Sequence, residues 1–135
     1  MKKMTTIHYE ESKTISAEEL AAVFRKSGIR RPVEDLPRLQ KMIDQADITI
    51  TAWEGGTLVG IARAITDFSY CCYLSDLAVD RDYQKKGIGK ELVRRVHEQL
   101  GDDISLLLLA SPIAMEYYPK IGFQKIENGY IIPRK

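Results

Sequence analysis

The most constraining stretch of this chain runs from Leu77 to Lys90. Leu77-Ala78-Val79 closes an apolar run and Asp80 to Lys86 is polar. Gly87 and Gly89 then open a segment in which Ile88, Leu92, Val93, Val96 and Leu100 recur at helical spacing. Strand, loop and helix follow one another here. The first amides of a helix have no partner inside it, and with the helix dipole they form a site for phosphate oxygens. Glycine at 87 and 89 removes side chains that would hold a pyrophosphate off those amides, and Lys85, Lys86 and Lys90 add positive charge. A flexible loop with ordinary surface lysines is the plainer alternative. Two sharper phosphate motifs are excluded: a dinucleotide fingerprint needs a small residue where Leu92 stands, and a P-loop needs Ser or Thr where Glu91 stands.

The flanking sequence alternates between two periods. Ile7 to Glu10 reads as a short strand, and Ser16-Ala17-Glu18-Glu19 is a capping box for a helix over about Ala17 to Lys26 that Gly28 ends. Asp35 is a cap for a second helix, with Pro37 tolerated in its first turn. Ile48 to Trp53 and Leu58 to Ile65 then flank Glu54-Gly55-Gly56-Thr57 as a hairpin, and Tyr70 to Val79 is a third extended run. Arg63, set among alternating apolar residues, suggests a buried partner, which an ion pair inside the fold or a bound substrate would supply equally well. Ser105 to Ala110 has the shortness and composition of a buried strand, so the middle of the chain spells a parallel strand-helix-strand unit. A short helix over about Ile113 to Lys120 follows. Phe123 to Ile126 and Tyr130 to Ile132 then read as a terminal antiparallel pair across Asn128-Gly129.

With 135 residues the expectation is one domain over 1–135. Twenty Lys and Arg against 19 Asp and Glu leave a net charge of +1, which argues against a nucleic-acid partner. No apolar run reaches the ~18 residues of a membrane span, and Met1-Lys2-Lys3 leads into polar Thr5 and Thr6, so no membrane role and a cytoplasmic address are expected. Cys71 and Cys72 are adjacent, badly placed to bridge each other, and too few for a four-ligand zinc site; no metal is expected.

Gln84-Lys85-Lys86-Gly87-Ile88-Gly89 matches, position by position, the acetyl-coenzyme A signature of the GNAT-type N-acetyltransferase superfamily, which the chain resembles. The family's apolar strand end upstream is similar to Leu77-Ala78-Val79, and its aromatic-Tyr-x-Lys-x-Gly-Phe segment downstream is similar to Tyr117-Tyr118-Pro119-Lys120-Ile121-Gly122-Phe123. The order of elements is also similar, so the resemblance spans nearly the whole chain. It implies an α/β fold with a central mixed, mostly antiparallel sheet of about seven strands flanked by about four helices. It implies direct acetyl transfer from acetyl-CoA, as co-substrate, to a primary amine on a small-molecule or peptide acceptor.

The resemblance also assigns roles. Leu77, Ala78 and Val79 would offer free backbone groups to the pantetheine arm and the thioester carbonyl. Gln84, Lys85, Lys86, Gly87, Ile88, Gly89 and Lys90 would hold the phosphates. Tyr118, at the family's Tyr position, would protonate the departing thiolate; the alternative makes Tyr117 and Tyr118 packing aromatics. Ser111 stands where many members have Asn, and Pro119 biases Tyr118 away from helical geometry. Asp76 and Glu54 are nominees for the base that deprotonates the amine, ahead of His8 and His97. Phe24, Arg30, Arg31, Phe68, Tyr70 and Tyr73 are candidates for the acceptor pocket, Arg30 and Arg31 as partners of an acceptor carboxylate. A non-catalytic acyl-CoA-binding regulatory module is the runner-up reading, and a homodimer formed through sheet edges stays open.

Overall fold

The structure is a computed structural model that describes residues 6–135. Its first half follows local signals closely. Ser16 caps α1 (Ala17–Ser27) in a reciprocal box: Glu19 N donates to the Ser16 hydroxyl at 3.0 Å and Ser16 N donates to the Glu19 carboxylate at 3.0 Å. Gly28 ends the helix at φ +83°, where a side chain would be strained. α2 (Leu36–Gln45) starts from Asp35, whose carboxylate accepts from Arg38 N at 3.1 Å.

Five strands form one sheet in the order β1-β2-β3-β4-β5. They are β1 (His8–Glu10), β2 (Ile48–Glu54), β3 (Thr57–Thr66), β4 (Cys71–Val79) and β5 (Ser105–Leu107). The first three pairings are antiparallel, while β4 and β5 are parallel across α3 (Ile88–Leu100). Apolar layers fill both faces. Ile50, Val59, Ala62, Cys72 and Leu74 pack against Leu92, Val93 and Val96 of α3 on one side. Trp53, Leu58, Ile61 and Ala78 pack against Leu20, Val23, Phe24 and Leu39 of α1 and α2 on the other.

One irregularity in β4 shapes everything that follows. Ala64 opposes Leu74 and Arg63 opposes Asp76, so Ser75 is an extra residue bulging from the ladder. A slip of one residue exchanges the faces of a strand. Cys72 and Leu74 accordingly point to the α3 side, whereas Ala78 points to the α1 and α2 side.

The C-terminal part departs from the sequence expectation. Among the described residues the sheet has five strands rather than about seven: Phe123 to Ile126 and Tyr130 to Ile132 pair with nothing, and Tyr130 and Ile132 are almost wholly exposed. A hairpin of two strands is stable only where a third strand or a helix covers its apolar face, and among the described residues no such cover forms. β5 stops at Leu107, three residues short of the run read from the sequence. The single helix expected over Ile113 to Lys120 is two pieces, a 3-10 turn at Pro112–Ala114 and the one-turn α4 (Tyr117–Lys120). Pro119 sits within that first turn, where a missing N–H costs nothing, so Tyr118 is helical after all.

Candidate active site

β4 parts from the edge strand β5 after Tyr73. β5 reaches only Cys71, Cys72 and Tyr73, so from Leu74 to Val79 the β5 side of β4 has no ladder partner among the described residues. An unpaired strand edge offers its N–H and C=O groups to whatever lies beside it. The side chains of this stretch are committed elsewhere: Ala78 is 2% exposed in the α1 and α2 layer, and Leu77 and Val79 are half-buried toward α3. What remains available on this edge is the backbone of Leu77 and the N–H of Val79, because Ala78 pairs with Ile61 of β3 and the Val79 carbonyl is taken by Gln84.

The loop after β4 is tied down at both ends. Asp80 N donates to the Val59 carbonyl at 2.8 Å and the Asp80 carboxylate accepts from Asp82 N at 2.9 Å. Tyr83 donates its hydroxyl to Glu54 at 2.7 Å, and Lys86 lies over the Tyr83 ring. Gln84 Nε2 donates to the Val79 carbonyl at 2.9 Å, which fixes the loop against the strand end. Lys85 (φ +65°) and Gly87 (φ +82°) are both left-handed. Alternating right- and left-handed residues turn successive amides inward to form an anion-binding hollow. α3 begins at Gly87 with no side chain capping it, so its first-turn amides are left for another acceptor.

The residues nominated for the coenzyme divide accordingly. Lys85, Lys86, Gly87 and Lys90 are exposed around the start of α3, while Ile88 is 2% exposed with its side chain in the core, leaving only its amide. Gly89 has a second constraint that sequence reasoning missed. A Cβ there would collide with the hydroxyl of Tyr117, which rests on the helix at that point. The signal was present in the aromatic pair Tyr117-Tyr118, but nothing local says which ring docks on α3. Ser111 is exposed, and its hydroxyl caps nothing. A cavity of about 1220 Å³ runs along α3 from Gly87 and Lys90 to Tyr73, Leu107 and the segment Ile121 to Gln124. That exceeds the space a drug-sized ligand needs.

Tyr118 is half-buried between Tyr117 and Phe123, with ring centroids at 5.3 and 5.5 Å and both contacts edge-on. Burial raises its phenol above the ordinary value of 10.0, the neighbouring Tyr117 adds to this, and the positive charge of Arg31 pulls the other way. The net direction is upward, so Tyr118 keeps its proton at neutral pH.

Asp76 does not stand as a base. It is 1% exposed, one carboxylate oxygen accepts from Arg63 Nε at 2.5 Å, and the other accepts from Arg31 Nε. Both carboxylate oxygens are thus occupied by guanidiniums, and neither is left to meet an arriving amine. The partner that Arg63 demands is thus Asp76 across the sheet. Glu54, the other nominee, is engaged by Tyr83. Of the acceptor candidates, Phe24 is fully buried in the α1 layer and does not line the cavity along α3, because its helical position faces the sheet. Tyr70 is 78% exposed outside the described cavity, Tyr73 lies along it beside β5, and Arg30 is exposed. Arg31, from the loop between α1 and α2, is brought directly onto β4.

The layout of sheet, opened strand and glycine-led helix defines an acyltransferase-type fold. Residues 11–131 match the family model for the Acetyltransferase (GNAT) domain, and the chain belongs to that family. The ycf52 N-acetyltransferase of Pyropia yezoensis, itself uncharacterized, is 27% identical over 130 residues, covering 91% of this chain and 73% of that one. A probable acetyltransferase from meticillin-resistant Staphylococcus aureus has the same fold, with a TM-score of 0.82 at 20% identity over 96% of this chain and 100% of its own. The aminoglycoside N-acetyltransferase AAC(6')-Iy, crystallised with coenzyme A, has a TM-score of 0.73 at 18% identity, covering 100% of this chain and 98% of that one. Membership of this family makes the chain an N-acetyltransferase. Among the described residues no helix is long and apolar enough to cross a membrane.

Proposed function

We infer that the chain transfers an acetyl group from acetyl-CoA directly to a primary amine. The observation that carries this reading is the opening of β4 after Tyr73, which leaves the Leu77 backbone and the Val79 N–H without a ladder partner next to the uncapped start of α3. The residues fit such a co-substrate at its phosphates: left-handed Lys85 and Gly87 before α3 with exposed lysines around them, and the cavity of about 1220 Å³ touches this region at Gly87 and Lys90, while Leu77 to Val79 and Tyr118 lie outside its lining. Acetyl-CoA, when bound, supplies an activated thioester carbonyl.

The chain's own groups do the rest. Amides of the first turn of α3 and the side chains of Lys85, Lys86 and Lys90 neutralise phosphate charge. The outward backbone N–H groups of Leu77 and Val79 stabilise negative charge on the carbonyl oxygen as it develops. The acceptor nitrogen forms its bond to carbon as the bond from carbon to sulfur breaks. Tyr118 Oη gives its proton to the leaving sulfur and recovers one from the proton the amine releases. A phenol held above its usual value by burial is protonated when needed.

The test is calorimetric titration with acetyl-CoA, followed in the same preparation by thiol release against a panel of primary amines. Binding with amine-dependent release is the expected result. Absence of binding overturns the cradle, and binding without release from any amine favours a module that holds the coenzyme without using it.

A further inference from the structure

Arg31 holds two unused hydrogen-bond donors beside the opened stretch of β4. Its Nε donates to Asp76, its Nη2 to the Ser75 carbonyl at 2.8 Å and its Nη1 to the Arg30 carbonyl at 2.5 Å. A guanidinium has five N–H donors, so one on Nη1 and one on Nη2 lack a protein partner among the described residues. Charge is left over in the same way. Among the described residues Asp76 is the one carboxylate paired with either Arg31 or Arg63, so the cluster carries one positive charge in excess.

That excess has one outlet. Arg63 is sealed: it is 7% exposed, with Nη1 on the Met42 carbonyl at 3.3 Å and Nη2 on the Ser75 hydroxyl at 2.9 Å. Arg31 has a side chain 27% exposed. Neutralising Asp76 needs only Arg63, so the second guanidinium is more than the fold requires. Nor is Arg31 a mobile surface residue. Its own carbonyl accepts from Val33 N at 2.8 Å, Pro32 follows it, Asp35 N closes on the Pro32 carbonyl at 3.0 Å, and Arg25 holds the Val33 carbonyl at 3.3 Å. A preorganised, partly desolvated guanidinium with an unpartnered N–H on each terminal nitrogen suits a carboxylate, and binding loses little entropy because the side chain is already fixed. The position is right for chemistry: Ser75 and Asp76 lead directly into Leu77 to Val79, and Arg31 lies near enough to Tyr118 for its charge to act on the phenol.

We propose that Arg31 anchors the carboxylate of the acceptor, so that the acceptor is a small molecule of the amino-acid class, carrying a carboxylate alongside its amine. Asp76 and Arg63 act as positioning residues that hold Arg31 in place. This rests on the acetyltransferase reading above. Recognition of the carboxylate leaves the amine free to reach the thioester carbonyl beside Leu77 to Val79.

The experiment measures acetyl-CoA-dependent thiol release with matched acceptors: amino acids, their amides, and the same amines lacking the carboxylate. Wild type is expected to favour the free acids by about tenfold or more in kcat/KM, chiefly through KM, as for a lost charged hydrogen-bonded pair. In Arg31→Met the ratio should collapse to within about twofold. Arg31→Lys, which keeps charge without the fork, should fall between. Equal turnover of acids and amides by wild type overturns the proposal whether or not any variant folds, and so does a ratio unchanged in Arg31→Met. Calorimetry separates the two levels. Acetyl-CoA binding with turnover indifferent to the carboxylate overturns the anchor alone, binding with no turnover of any member overturns the amino-acid class, and no binding overturns the reading beneath it.

Discussion

The chain divides at Ile104 into two parts built on different terms. Among the described residues every buried hydrophobic lies between Ile15 and Ile104, and no residue after Ile104 is buried. Yet the second part carries Tyr117 and Tyr118, docked against α3 and Phe123 through a few edge contacts. Stability thus resides in one region, and part of the proposed chemistry in the other. The sharpest way to break this comparison is to cut into the first region. Phe24 is fully buried between α1 and the sheet, so Phe24→Ala should cost about 3–5 kcal/mol, measured by chemical denaturation. A loss under about 1 kcal/mol would mean that the α1 layer does not hold the fold.

Tyr118→Phe probes the other side. It removes a proton donor and leaves the ring packed against Tyr117 and Phe123, so kcat should fall about a hundredfold while acetyl-CoA affinity and melting temperature stay near wild type. The pH profile carries a second signature. Burial raises the folded-state pKa above 10.0, so the donor is present at neutral pH and is lost only as pH rises through that elevated value. Wild type should therefore show a fall in kcat on the far alkaline side that Tyr118→Phe lacks. A matching drop in melting temperature would recast Tyr118 as a packing aromatic.

The same boundary separates what the sequence shows from what it hides. Ser16 with Glu19, Asp35, the Gly55-Gly56 turn and the stripe of α3 are local devices, complete within a few residues, and each gives the element it spells. Arg63 could be flagged as needing a partner because one strand's alternation exposes it. Naming Asp76 as that partner requires the β3 and β4 register, and the register turns on the Ser75 bulge, which no residue type announces. Without the bulge Asp76 reads as a free carboxylate near a strand end; with it, Asp76 is the hub of an ion-pair cluster. The departure of β5 at Tyr73 and the seating of Tyr117 on Gly89 are likewise contacts between distant segments.

A gentler probe lies on the surface of α3, within the stable region but outside its core. Arg94 and Arg95 hold the Glu91 carboxyl at about 2, well below the ordinary 4.5. A depressed folded-state value contributes stability that is full above the unfolded pKa and disappears as pH falls from about 4.5 toward 2. Because these side chains are partly exposed, the contribution at pH 7 should be under about 1 kcal/mol. Glu91→Gln should lose it, and denaturation curves of wild type and variant should converge near pH 2. Curves that stay apart at that pH would assign the difference to packing of α3 rather than to charge.

The smallest effect is expected at Ile132, and it decides between pattern and placement. By sequence Tyr130-Ile131-Ile132 reads as a strand, and a central strand would bury its alternate side chains; by structure Ile132 is 96% exposed and outside the sheet. An exposed site away from packing tolerates substitution within about 0.5 kcal/mol, so Ile132→Asp should leave the denaturation midpoint almost unchanged. A buried strand residue replaced by an unpaired carboxylate would instead cost several times that. A loss above about 2 kcal/mol would therefore place the segment in the sheet, extend the stable region past Ile104 to the C-terminal residues, and remove the division on which the comparison stands.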